Sequence, residues 1–292
     1  VWDFETKIVT PVKAYYFKGM KKLLLLSLVL FLSACSSDGD NPLDDDFEPA
    51  RPVEELYNEA ASELDTKNYQ RAYELFNEVE RQHPYSQWAT RAQLMAAYAA
   101  YENEDYIESI LAVDRFVRLH PGNADIDYAL YLKSLNYYEQ ISDVGRDQEM
   151  TRLAKENLEG LLRAYPNSKY ARDAKLKLDL TLDHLAGKEM QIGRYYLVRN
   201  QYSAAIKRFT NVVQNYQTTT HVPEALHRLV ESYLSLGIRE EAVRVAAVLG
   251  YNYPGSEWYK DSYALLDDAE RQRLLDDRGF IDKTMESLFR PG

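Results

Sequence analysis

The chain of 292 residues carries 35 Lys and Arg against 46 Asp and Glu, a formal net charge of -11, with one cysteine, three tryptophans and 24 tyrosines. A single cysteine excludes an intramolecular disulfide, an iron–sulfur cluster and a multi-cysteine zinc site. The acidic balance argues against a sequence-independent grip on nucleic acid, which depends on neutralising phosphates with Lys and Arg. With only 12 glycines and 10 prolines, a turn-rich β sandwich is disfavoured and a mostly helical chain is expected.

Residues 1–19 precede a segment that reads as a complete export signal, and they are expected to be an upstream-start artefact. Residues 20–34 then form that signal: Met20, Lys21 and Lys22 open a ten-residue apolar run from Leu23 to Leu32, followed by Ser33 and Ala34. Ten apolar residues are too few to span a bilayer. The ending Leu32-Ser33-Ala34-Cys35 resembles a bacterial lipobox. That resemblance implies cleavage before Cys35, an S-diacylglycerol on its sulfur and an N-palmitoyl group on its new amino terminus. Ser36 and Ser37 follow, which in the enterobacterial sorting rule implies delivery to the outer membrane. Because residues 1–34 carry five lysines and two acids, their removal leaves a net charge of -14 and no free thiol, which suits an oxidising periplasm.

Residues 35–52 hold the lipidated cysteine and a tether. Six acids, one arginine and three prolines stand there with almost nothing apolar, so the segment cannot bury enough surface to order itself. Fully extended, it reaches at most about 60 Å.

After Pro52 the pattern turns helical and repeats itself. Tyr69, Ala72, Phe76, Val79 and Pro84 recur as Tyr106, Ser109, Val113, Phe116 and Pro121. The series continues as Ala154, Leu158, Leu161 and Pro166, then Tyr202, Ala205, Phe209 and Val212, and finally Ala242, Ala246, Leu249 and Pro254. Junctions repeat as well: Pro84-Tyr85-Ser86, Pro166-Asn167-Ser168 and Pro254-Gly255-Ser256 each place a helix stop before a capping serine. Small residues on one helix, such as Ala92, Ala96 and Ala99, are expected to face aromatics on the next. The pattern resembles tetratricopeptide repeats, which implies an all-α α-solenoid of about five helical hairpins over residues 53–254. In such arrays the first helices line a concave groove. Residues 53–125 are expected to form repeats one and two, with the groove, and residues 126–254 repeats three to five. Residues 255–292 are expected to form a cap, with a single helix over 261–275, and a tail.

No constellation for chemistry emerges, so no catalytic residue, metal site or cofactor is expected. The five histidines lack the spacing of a two-histidine metal helix. His83 and His120 read as turn packing, and His221 and His227 as surface residues. Asp267-Asp268 and Asp276-Asp277 read as solvated faces. Most tyrosines fall on stripe positions and are expected in the core, while Tyr98, Tyr101, Tyr128 and Tyr131 do not fit a single stripe and can line the groove. Arg115, Arg118 and Lys133 form a local basic group able to receive a carboxylate or to complement a helix end.

The lipobox, acidic tether and five hairpins together resemble the BamD (ComL/YfiO) family of outer-membrane β-barrel assembly lipoproteins. More specific support comes from Arg115-Phe116-Val117-Arg118-Leu119-His120-Pro121, Ile126 to Tyr131, Tyr165 to Tyr170, Arg194-Tyr195-Tyr196 and the loop Asp143 to Gln148. The resemblance implies a non-catalytic protein, lipid-anchored at the periplasmic face of the outer membrane. Its implied partners are unfolded outer-membrane barrel proteins, a BamA-like protein bearing POTRA domains, and other small lipoproteins of the assembly complex; nucleic acid is not among them. It places the groove at Tyr98, Tyr101, Arg118, Tyr128, Tyr131 and Lys133, and the docking arginine at Arg208. The alternatives are another periplasmic repeat lipoprotein serving peptidoglycan synthesis or cell division, and a muralytic enzyme.

Overall fold

A computed structural model describes residues 51–276. The expected signal peptide, Cys35, most of the tether and the tail beyond Asp276 lie outside the described residues. Twelve helices run through the described part: α1 (Val53–Asp65), α2 (Tyr69–Gln82), α3 (Gln87–Glu102), α4 (Tyr106–Leu119), α5 (Ile126–Glu139), α6 (Glu149–Ala164), α7 (Ala171–Val198), α8 (Tyr202–Asn215), α9 (Val222–Ser235), α10 (Arg239–Asn252), α11 (Glu257–Ala264) and α12 (Asp268–Asp276). The first ten pair into five antiparallel hairpins, so the fold is the expected tetratricopeptide-like α-solenoid. From α1 to α11 each helix packs on its sequence neighbour, α12 packs on α10, and the first helices α1, α3, α5 and α7 also touch in succession. That second set of contacts puts the first helices on the concave side. No described helix is long and apolar enough to cross a membrane.

The repeat motif belongs to the second helix of each hairpin. Its triplet of a small residue followed by two further core residues forms one face at 3.6-residue spacing, and that face is fully buried in every hairpin, as at Ala72, Phe76 and Val79 or at Ala205, Phe209 and Val212. Alanines on the first helices let neighbours close in from both sides. On α3, Ala92, Ala96 and Ala99 pack into the core of the first hairpin, while Leu94 and Ala97 pack into that of the second. A larger core joins α7 to α10 with Leu266. Between α6 and α7 the fully buried cluster narrows to Leu158, Leu161 and Ala174. The 28-residue α7 spans this narrow waist, its first half packed on α6 and its second half on α8.

Four hairpins turn in one way. Lys67, Glu104, Asn200 and Gly237 adopt positive φ, between 60° and 75°, just past the ends of α1, α3, α7 and α9. The following amide reaches back to close the helix end, as in Asn68 N to Glu63 O at 2.8 Å and Gln201 N to Tyr196 O at 2.9 Å, a Schellman-type closure. The third hairpin instead uses the loop from Ile141 to Gln148. Lys188 of α7 pins that loop by donating to the carbonyls of Gly145 and Arg146 at 3.0 and 3.2 Å.

The tyrosines depart from expectation: among the described residues none is fully buried. Their hydroxyls keep them at the half-buried margin, and the deepest positions go to Ala, Leu, Val and Phe. Of the junction serines, Ser86 and Ser168 accept from Trp88 N and Tyr170 N at 3.1 and 3.2 Å. Ser256 makes no side-chain cap. The expected helix over 261–275 is two helices, because Asp267 caps α12: it accepts from Glu270 N, while Glu270 accepts from Asp267 N, both at 2.9 Å. That reciprocal capping box and the pairing of Asp267 and Glu270 with Arg239 mean that Asp267 is engaged rather than merely solvated. His227 is buried, not superficial, with Nδ1 2.8 Å from Ser262 Oγ and its ring against Trp258. His221 is half-buried beside Asp183. His83 and His120 do pack at their turns, against Arg51 O at 2.6 Å and Gln93 Oε1 at 2.8 Å.

In the second repeat a serine, Ser109, stands where the other four have alanine. It is fully buried, donates to Ala97 O and accepts from Asn136 Nδ2, each at 2.8 Å, so it ties α3, α4 and α5 together. Ser109→Ala is therefore expected to cost about 1–2 kcal/mol by stranding buried polar groups, whereas Ser109→Ala with Asn136→Leu recovers part of the loss. Urea unfolding midpoints of the two variants check this; equal midpoints for Ser109→Ala and the parent would refute it.

Candidate functional site

The tyrosines that fit no single stripe converge on the first helices. Leu94 anchors α3 in the core, and Tyr98 and Tyr101, four and seven residues on, emerge beside each other with ring centroids 6.5 Å apart. On α5, Ile126, Ala129 and Leu132 are buried, which leaves Tyr128 and Tyr131 half-exposed. Tyr170, at the start of α7, completes the surface. It stacks on Tyr131 at 4.9 Å and 14° and meets Tyr128 at 5.3 Å, a place that the sequence pattern does not assign to it. Tyr131 donates its hydroxyl to Asp173 of α7. The surface thus runs across three hairpins and straddles the expected division at residue 125.

Carboxylates border this surface. Burial pushes the Tyr98 hydroxyl up to about 12, reinforced by its hydrogen bond to Glu102. Tyr101 is also pushed up to about 12, by burial first and then by Glu139 and Glu102. Tyr128 and Tyr131 are raised further, again chiefly by burial, and for Tyr131 next by the bond to Asp173. Each hydroxyl therefore holds its proton more tightly folded than unfolded. Stability from these groups is fully present below the ordinary value of about 10 and is lost as pH rises from there through 12. Ultraviolet titration of the folded chain should show a tyrosine subset that ionises only above about pH 11, with unfolding accelerating in the same window. A single transition near 10 for all tyrosines would contradict this.

Lys133 donates to Asp114 of α4 at 2.6 Å, and Arg115 pairs with Glu80 of α2. Arg118 is exposed near the end of α4, a second helix. Arg115 and Lys133 are thus engaged with neighbouring helices. Arg208 projects from α8 one residue before the buried Phe209. It donates to both oxygens of Glu189 on α7 at 3.1 and 3.3 Å, on the edge of a shallow cleft of about 420 Å3 that Lys207 and Asn211 also line.

Among the described residues no group of three or more His, Cys, Asp or Glu could hold a metal. A stack of helical hairpins whose first helices share a tyrosine surface defines a tetratricopeptide-like repeat scaffold. Sequence comparison is in keeping with that class: the profile of the outer membrane lipoprotein family YfiO matches residues 49–249. The chain belongs to this family of outer membrane lipoproteins. It is similar to the outer membrane protein assembly factor BamD of Caulobacter vibrioides, 54% identical over 218 residues that cover 75% of this chain and 72% of the relative. The BamD of Rickettsia prowazekii is 47% identical over 249 residues, 85% and 96% of the two chains. That of Neisseria meningitidis serogroup A is 38% identical over 248 residues, 81% and 93%.

Proposed function

We propose that this protein acts in outer membrane protein assembly as a non-catalytic, lipid-anchored scaffold. Its concave face holds the carboxy-terminal segment of an unfolded barrel protein, and the Arg208 side docks on a POTRA domain of a BamA-like partner. Cys35, carrying diacylglycerol and palmitate, confines it to the periplasmic face of the outer membrane, where other small lipoproteins join it. The observation that carries the reading is the array of half-exposed tyrosines from Tyr98 to Tyr170 on the first helices. An unpaired β segment presents alternate side chains and unsatisfied amides, and tyrosine offers it a flat apolar face together with a hydroxyl. Membership of the lipoprotein family supports the location.

Photo-crosslinkers placed at Tyr131 and at Asn211 in living cells test both surfaces at once. Barrel precursors are expected from the first position and a POTRA-bearing protein from the second. Recovery of peptidoglycan-synthesis or division proteins instead, with barrel levels unchanged on depletion, would overturn the proposal.

A further inference from the structure

A cleft of about 840 Å3 opens at the narrow waist between the third and fourth hairpins. Tyr138 and Ile141 at the end of α5, Val144 in the loop and Leu180 on α7 make its apolar walls, and Leu180 is 60% exposed. Three carboxylates, Glu139, Asp143 and Asp183, line it as well. The cationic side chain in the lining, Arg194, is taken by Glu224 through two bonds of 2.7 Å, and neighbouring Lys188 is held by loop carbonyls. Asp183 in turn accepts from Thr220 and faces His221, and the exposed acidic pair is Glu139 with Asp143, whose Oδ1 accepts from Gly145 N at 2.7 Å.

The cleft continues into the tyrosine surface. Asp173, Leu180 and His184 lie on one face of α7 at helical spacing, and Glu139 both lines the cleft and acts electrostatically on Tyr101. The chain's own lysines show what this acidic, aromatic surface accepts. Lys177 lies 5.0 Å over the ring of Tyr138 while pairing with Asp173, and Lys169 lies 4.9 Å over Tyr170. A ring face beside a carboxylate attracts ammonium and guanidinium groups.

We infer that this cleft seats a lysine or arginine side chain of the polypeptide segment held on the tyrosine surface. The aliphatic stem lies along Ile141, Val144 and Leu180, as long basic side chains do on apolar walls, and the charge meets Glu139 and Asp143. The inference rests on the reading that the concave face holds a polypeptide. The protein's own tether is an unsuitable occupant, because its six acids and single arginine would be repelled.

Binding of three labelled decapeptides to the full mature chain, followed by fluorescence anisotropy, tests the assignment. All three share an alternating aromatic and apolar strand pattern and differ at one central residue: lysine, its uncharged isostere norleucine, or glutamate. The lysine peptide is expected to bind about fivefold more tightly than the norleucine peptide at low salt, the glutamate peptide more weakly than both, and the lysine advantage to fade as salt rises. Glu139→Gln combined with Asp143→Asn should erase the advantage while leaving the norleucine peptide unchanged. Leu180→Lys, which fills the cleft with a fixed cation, should do the same by a different route. Equal binding of the lysine and norleucine peptides, or an advantage that survives both variants, overturns the inference. An advantage seen only after truncation at residue 276 would make the chain's own tail the occupant and overturn it too. If none of the three peptides binds, the tyrosine surface itself fails as a polypeptide site.

Discussion

Gly193→Val is expected to lower stability by about 3 kcal/mol. Gly193 lies in the second half of α7, where α8 packs so closely that a Cβ would stand 2.4 Å from Cε1 of Phe209 and 2.8 Å from two further ring atoms. Phe209 is fully buried within the core shared by α7 to α10, so its ring has no free end to swing away. Either the two helices part or the ring leaves its rotamer, and both forfeit close packing. Repeat arrays couple mainly through nearest neighbours, so the fourth and fifth hairpins should exchange amide protons first while α1 to α4 stay protected. Gly160→Ala is the internal contrast. Gly160 is also a mid-helix glycine, in α6, but a Cβ there meets nothing within 4 Å, and the gain in helix propensity should raise stability by about 0.5–1 kcal/mol. Thermal melts and hydrogen exchange of both variants decide the matter; a Gly193→Val protein that melts with the parent would show that the α7–α8 contact yields.

Cys35→Ser is expected to abolish acylation, and with it the proposed lipid anchor. A serine cannot form the thioether that carries the diacylglycerol, and without that step the signal is not processed as a lipoprotein signal. Each buried methylene adds about 0.8 kcal/mol, and stable anchoring takes more than one chain, so losing all of them leaves only protein contacts and the uncleaved signal. Metabolic labelling with a fatty acid separates the two chains: the parent should take up label and the variant none. By intact mass the variant should lack the acyl groups and retain the uncleaved residues 20–34. A parent whose mature mass carries no acyl chains would remove the anchor from the proposed function.

Much of the fold was legible because one physical pattern repeats. Ala72, Phe76 and Val79 and their counterparts stand three and four residues apart, and such spacing can bury them all only on one helical face. The turns were less legible. Gly237 signals a left-handed closure, but Lys67, Glu104 and Asn200 take the same conformation because the backbone bonds it completes offset the modest cost to a residue with a Cβ. The break before α12 was readable in Asp267-x-x-Glu270, a capping-box spacing, but two adjacent acids invite a reading as solvent-facing charge. At the site, Tyr98, Tyr101, Tyr128 and Tyr131 could be singled out because they fit no single stripe. Tyr170 and Asp173, which join them from about forty residues further on, could not be, since only the stacking of α7 on α5 creates that proximity. For Arg115, Arg118 and Lys133 the limit is related: nearness in sequence does not reveal that Glu80 and Asp114 pair with two of them.

The unbroken α7 also acts as a ruler. Asp173, which holds Tyr131, and Glu189, which holds Arg208, are sixteen residues apart on one rod, about 24 Å at 1.5 Å per residue. A loop between the two halves would let that distance drift; a helix fixes both the distance and the phase. Inserting a single residue between them would turn one contact by about 100° relative to the other, so length and orientation along this rod are set together.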